Sequence, residues 1–222
     1  MAYILHIETS TKNCSVSLGY KGACMATVEQ HDQHFSHAEK LQSFINKAMQ
    51  DAQLSLNDLD AVAVSEGPGS YTGLRIGVAT AKGLCYALDL PLIAISTLES
   101  LARQVDDGQE RIIPLLEARK MEVYTAVFDN EYQLMEKPYT QILKPDSFAH
   151  YLSNYSVAFV GNAVEKWNEV RADKNFNKNT MPGAKEMLVP AFKAYQDKNF
   201  ADMAYFEPFY LKDFIAGPTK AK

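Results

Sequence analysis

The chain has 222 residues, 47% of them hydrophobic and 22% charged, which is ordinary for a globular protein and allows a sizeable core in one domain or two small ones. Its formal charge of −5 weighs against autonomous nucleic-acid binding, because such binding draws most of its affinity from neutralised phosphates. Three cysteines without a CxxC pair, an N-terminus without a basic leader and an apolar stretch (83–96) interrupted by Asp89 and Pro91 point to a cytoplasmic protein rather than a secreted or membrane-spanning one.

Tyr3 to Thr9 (YILHIET) predicts a buried strand. From Cys14 to Leu18 the residues alternate, with Cys14, Val16 and Leu18 on one face and Ser15 and Ser17 on the other. Gly19 to Gly22 turns the chain and Ala23 to Gln30 returns, giving three consecutive antiparallel strands. Ser36 opens a helix through an S-x-x-E capping box with Glu39, and Ala38, Leu41, Phe44, Ile45, Ala48, Met49 and Ala52 give that helix an apolar stripe. Asp60 to Ser65 reads as a fourth strand. It enters a turn containing Gly67, Pro68, Gly69 and Gly73, followed by a second helix to Leu88. Pro91 to Ile95 is a fifth strand, and Thr97 to Gln104 a short helix before the break at Asp106-Asp107-Gly108.

The second half repeats the plan. Arg111 to Leu116, Glu122 to Phe128 and Gln133 to Leu143 are extended, a helix starts at Lys144-Pro145-Asp146, and Val157 to Val160 is a strand leading to Gly161-Asn162-Ala163 and another helix. Residues 171–183 read as an exposed loop, Lys185 to Lys198 as a last helix, and Tyr205 to Leu211 as an aromatic extended tail. The order β-β-β-α-β-α-β is thus followed by β-β-β-α-β-α-α. An α/β protein built from a duplicated ribonuclease-H-like unit is expected, with lobes at 1–105 and 106–222 and the tail packing back on the first lobe.

Several groups of residues bear on chemistry. Glu8, Thr9 and Ser10 end the first strand, where a carboxylate beside a hydroxyl turn suits a metal-bound phosphate; the same residues also suit a tight hairpin turn. Gly67 and Gly69 precede a helix N-terminus, which favours anions, but the segment is not G-x-x-x-x-G-K-[ST]. Gly161 offers a single glycine for a second phosphate loop, too little to cradle a triphosphate. Gly73, Gly77 and Ala81 form a narrow seam of small residues at i, i+4 spacing, fitted either to the protein's own interior or to a partner. His31, His34 and His37 approach a helix start, but the chain contains no HxxxH pair. Neither a nucleophile elbow nor an activated cysteine is apparent.

Three stretches carry a specific resemblance. ILHIETSTKNCSVSL resembles the first hairpin of the ASKHA superfamily of sugar kinase, actin and Hsp70-type folds. SEGPGSYTGLRIGVATAKGL resembles the signature of the TsaD/TsaB group, with TGLRIG in the TsaB form, and EARKMEVYTAVFD and EPFYLKD resemble TsaB's mid-chain and C-terminal segments. The resemblance implies ASKHA lobes with mixed sheets. It also implies a non-catalytic partner of TsaD in forming N6-threonylcarbamoyladenosine at position 37 of tRNAs reading codons that begin with A. Implied partners are TsaD and the ATPase TsaE, with tRNA reached only through the complex; for the free chain, homodimer and monomer both stay open. No intrinsic cofactor is expected; ATP or ADP and a metal belong to the TsaD/TsaE assembly. The helices 36–52 and 73–88 would supply the partner surface through His37, Leu41, Phe44, Gly73, Arg75, Gly77 and Ala81. The alternatives are an ASKHA-type kinase or ATPase using Glu8, Thr9, Ser10, Gly67 and Gly69, and a homologue of the M22-type glycopeptidases.

Overall fold

A computed structural model describes residues 2–31, 37–106, 108–171 and 176–212. Among these, strands β1 (Tyr3–Glu8), β2 (Asn13–Tyr20) and β3 (Ala23–His31) precede helix α1 (His37–Asp51). Next come β4 (Ala61–Gly67), α2 (Tyr71–Leu88), β5 (Leu92–Ser96) and α3 (Thr97–Ala102). The second half contains β6 (Arg111–Arg119), β7 (Glu122–Asp129), β8 (Leu134–Ile142), α4 (Ala149–Asn154), β9 (Val157–Val160), α5 (Val164–Val170), β10 (Phe176–Lys178) and α6 (Leu188–Gln196). Ser36, expected to cap α1, lies outside the described residues, as does His34.

The two sheets share one topology. Their orders are β3-β2-β1-β4-β5 and β10-β9-β6-β7-β8, so in each half three antiparallel strands are extended by two parallel ones. The fold is α/β with duplicated mixed sheets, as the element order indicated. One element departs from expectation: Phe176–Lys178 is a strand, not loop, and pairs in parallel with β9 through Phe176↔Ala158 and Lys178↔Val160. Three residues at a sheet edge carry no two-residue alternation, so only the neighbour strand reveals them. With β10 in place, both halves read β-β-β-α-β-α-β-α.

Each sheet is covered on both faces. In β1, Leu5 and Ile7 point toward α1 and α2 and pack with Val16, Leu18, Val62, Val64, Leu41, Ile45, Val78 and Ala81. Ile4 points the other way and joins Ala61, Ala63, Ile93 and Ile95 against Met187 and Ala191 of the last helical segment. That period of two is why β1 and β4 are near-continuously apolar. The second sheet is covered on one face by α4 and α5, where Phe148, Phe159 and Trp167 cluster, with ring centroids of Phe159 and Trp167 5.1 Å apart. Its other face is covered by Leu98, Leu101 and Ala102 of α3. The helix closing each half therefore packs on the other half's sheet.

His6 shares the α6-facing side of β1. It is buried, its Nδ1 lies 3.2 Å from the Ser17 carbonyl, and desolvation pulls its pKa down from 6.5 to about 4. The unfolded chain therefore takes up a proton on His6 between these values while the native state does not. The contribution is fully present above pH 6.5 and is lost as pH falls toward 4, about 3 kcal/mol in all. Buried Glu8 and half-buried Glu66 and Glu186 have carboxyl pKa values raised chiefly by desolvation, so they act with the opposite sign as pH rises above 4.5. Urea midpoints of a His6→Leu variant are expected to isolate the histidine: between pH 7 and pH 4 the variant should gain about 3 kcal/mol on the parent. Parallel pH profiles would refute the assignment.

Candidate functional site

The ends of β1, β4, β6 and β9 converge on a cleft of about 660 Å³ between the sheets. The first strand supplies a turn, Glu8 to Asn13, which is held from several sides. The Ser10 amide donates to Glu8 Oε1 at 2.6 Å, the Thr9 amide to Ser65 Oγ at 3.4 Å, and the Asn13 amide to Thr11 Oγ1 at 3.2 Å. His37, buried at the start of α1, places Nε2 2.7 Å from the Thr11 carbonyl. The Ser70 amide donates to the Ser10 carbonyl at 2.6 Å, joining the turn to the N-terminus of α2.

That junction explains the glycines. A Cβ at Gly69 would lie 2.6 Å from the Ser10 carbonyl oxygen, one at Gly73 2.1 Å from the Thr9 carbonyl oxygen, and one at Gly77 2.3 Å from Thr9 Oγ1. The Thr9 hydroxyl in turn donates to the Gly73 carbonyl at 2.8 Å. The seam of small residues is occupied by the chain's own first turn. Among the expected partner contacts, His37, Leu41, Gly73, Gly77 and Ala81 are buried in the protein's interior, Phe44 is half-buried and Arg75 is exposed. The opposite side of α2 is the one that reaches the protein's surface, with Thr72, Arg75, Ala79, Gly83 and Tyr86 exposed.

Glu8 is fully buried. Desolvation raises its pKa, against the Ser10 and Ser65 hydrogen bonds, and the neighbouring Glu186 carboxylate raises it further. Glu8 Oε2 and Ser10 Oγ have no hydrogen-bond partner in the structure. Strand alternation puts Glu8 opposite Ser15, whose hydroxyl donates to Glu29 at 3.2 Å and accepts from the Ala184 amide at 3.0 Å. Sequence reading missed the nearness of Glu29 and Glu186 to this turn because they come from β3 and from residues far along the chain. Among the described residues, no group of three or more histidines, cysteines or carboxylates is arranged to hold a metal ion. Of the histidines, His31 lines the cleft and His37 serves the turn.

The second half contributes the opposite wall. The Gly161 amide donates to the Lys178 carbonyl at 3.0 Å and the Ala163 amide to the Leu115 carbonyl at 3.1 Å, while Asn162 Oδ1 accepts from the Glu117 amide at 2.8 Å. Gly161 has φ +130° and a Cβ there would sit 2.4 Å from the Leu115 carbonyl, so this glycine serves close backbone approach. Lys12, Arg119, Tyr124 and the tail residues Phe209 to Lys212 complete the lining. No helix among the described residues is long and apolar enough to cross a membrane.

Two mixed sheets of identical order around such a cleft define an ASKHA-type fold. A solved structure of the activator of 2-hydroxyisocaproyl-CoA dehydratase from Clostridium difficile, with bound ADPNP, shares that fold at a TM-score of 0.54 and 12% identity over 89% of this chain and 97% of its own. The family model for TsaD, tRNA N6-adenosine threonylcarbamoyltransferase, matches residues 31–217. The chain is 30% identical over 225 residues to the tRNA threonylcarbamoyladenosine biosynthesis protein TsaB of Haemophilus influenzae, covering 96% of this chain and 94% of that one. A Pseudomonas aeruginosa protein with similarity to peptidase YEAZ superposes with a TM-score of 0.84 at 25% identity, covering 96% of this chain and all of its own. The chain belongs to the TsaB family.

Proposed function

We propose that this chain is a non-catalytic partner subunit in the biosynthesis of threonylcarbamoyladenosine in tRNA, docking a TsaD-type transferase through the outer face of α1 and α2. The observation that carries the reading is the internal use of four amides at the turns that border the cleft. Those of Ser10, Ser70, Gly161 and Ala163 bond to the chain's own oxygens. In a phosphate-handling site, backbone amides of such turns face the anion. The names of the full-length relatives supply the pathway.

On this reading ATP and metal belong to the assembled TsaD/TsaE complex, tRNA is met only there, and the free chain pairs with itself through the same face. Depleting the protein in its host is expected to lower threonylcarbamoyladenosine in bulk tRNA, measured by mass spectrometry of nucleosides. Calorimetric titration of the isolated chain with ATP and Mg²⁺ is expected to give no binding heat. Unchanged nucleoside levels would overturn the pathway assignment, and saturable ATP binding would favour the kinase or ATPase alternative built on Glu8 and Ser10.

A further inference from the structure

The C-terminal segment crosses from the first sheet to the second. The Ala201 amide donates to the Leu92 carbonyl at 2.8 Å, extending the edge at β5. Lys82 Nζ then donates to the Phe206 carbonyl at 3.2 Å, and Phe206 packs against the first-sheet core. Beyond that point the anchoring changes character. The Phe209 amide donates to the Glu66 carbonyl at 2.7 Å, the Tyr210 ring lies 5.0 Å from that of Tyr71, and the Lys212 ammonium pairs with Glu122 at the start of β7. Phe209 and Tyr210 remain 42% and 37% exposed. Phe209 to Lys212 form one wall of the cleft.

We propose that residues 207–212 are a releasable clasp that holds the cleft between the two sheets closed, with Lys212–Glu122 as its latch. Three features of the geometry support this. The segment spans both walls and so restrains their separation. Among the described residues, its hold beyond Phe206 is a single backbone hydrogen bond, one aromatic contact and an ion pair to an exposed lysine, an interaction that adds little to global stability and is weakened by salt. Regions so sparsely anchored open at a lower free energy than the core they rest on. In addition, Gly67 has φ +115° and a Cβ there would stand 2.7 Å from the Phe209 carbonyl oxygen, so the strap lies directly on a position that only glycine fills without displacing it. The inference rests on the strap's contacts alone and is independent of the family role.

Hydrogen–deuterium exchange tests it on the full chain, on Lys212→Glu, on the charge swap Lys212→Glu with Glu122→Lys, and on a chain ending at Glu207. Exchange in 66–71 and 116–119 is expected to quicken at least tenfold in Lys212→Glu and in the shortened chain, with protection in β1, β2 and β9 unchanged, and the swap is expected to restore it. Unaltered exchange at 66–71 in the shortened chain would overturn the clasp, as would loss of protection throughout both sheets, which would make the strap part of the core. Failure of the swap to restore slow exchange would overturn the latch.

Discussion

A Gly73→Ala variant is expected to lose about 3 kcal/mol of stability, the upper end of the usual cost of overpacking, while Gly83→Ala, ten residues along the same helix, gains roughly 0.5–1 kcal/mol. The difference lies in what a methyl group meets. At Gly73 it would stand 2.1 Å from the Thr9 carbonyl oxygen, a backbone atom fixed by the β1–β2 hairpin. Relief requires moving either α2 or the turn, and the turn is tied to α2 by Ser70 and to α1 by His37. At Gly83 nothing lies within 4 Å, so alanine simply restores helix propensity. Three kcal/mol is a large share of the 5–15 kcal/mol that holds a typical domain together. Urea midpoints measure both, and equal effects of the two substitutions would contradict the packing described for the seam.

The second large effect concerns association. Ala79→Arg is expected to leave the stability of the free chain within about 0.5 kcal/mol of the parent and to weaken binding to a TsaD-type partner at least tenfold, equivalent to about 1.4 kcal/mol. Thr72, Arg75, Ala79, Gly83 and Tyr86 recur at helical spacing on the exposed side of α2, and Tyr86 is 82% exposed. Small residues there let another helix approach closely, and a large exposed aromatic is the type of side chain that concentrates binding energy at interfaces. An arginine at the centre of that face removes the close approach without touching the core. Surface plasmon resonance with the purified partner reads the effect. Affinity equal to that of the parent would place the docking face elsewhere.

The fold was largely legible in the sequence because its strands are long and bounded by glycine, asparagine and aspartate turns. The repeat of three extended segments followed by alternating helix and strand was visible without residue-level similarity between the halves. β10 was hidden because Phe176–Lys178 is short and lies at an edge. The site was legible only in part. Glu8 to Ser10 and Gly67 to Gly69 could be recognised as two turns at strand ends, and the cleft does bring Ser10 and Gly69 together. Which side of α2 the small residues face could not be read, because Gly73, Gly77 and Ala81 on one side are matched by Ala79 and Gly83 on the other. The Thr9 turn, more than sixty residues earlier, decides between them. Glu186 reaches the neighbourhood of Glu8 only because α6 returns to the first sheet.

That return has a consequence for synthesis on the ribosome. The face of the first sheet formed by Ile4, Ala61, Ala63, Ile93 and Ile95 receives its cover from Ala184, Met187 and Ala191. The growing chain must therefore carry a bare apolar sheet face while the whole second sheet is being made, a state open to aggregation and to chaperone capture. In the finished protein the same arrangement works the other way. With α3 seated on the second sheet and α6 on the first, each half loses the cover of one sheet face when the other opens, and the two ought to melt in one transition.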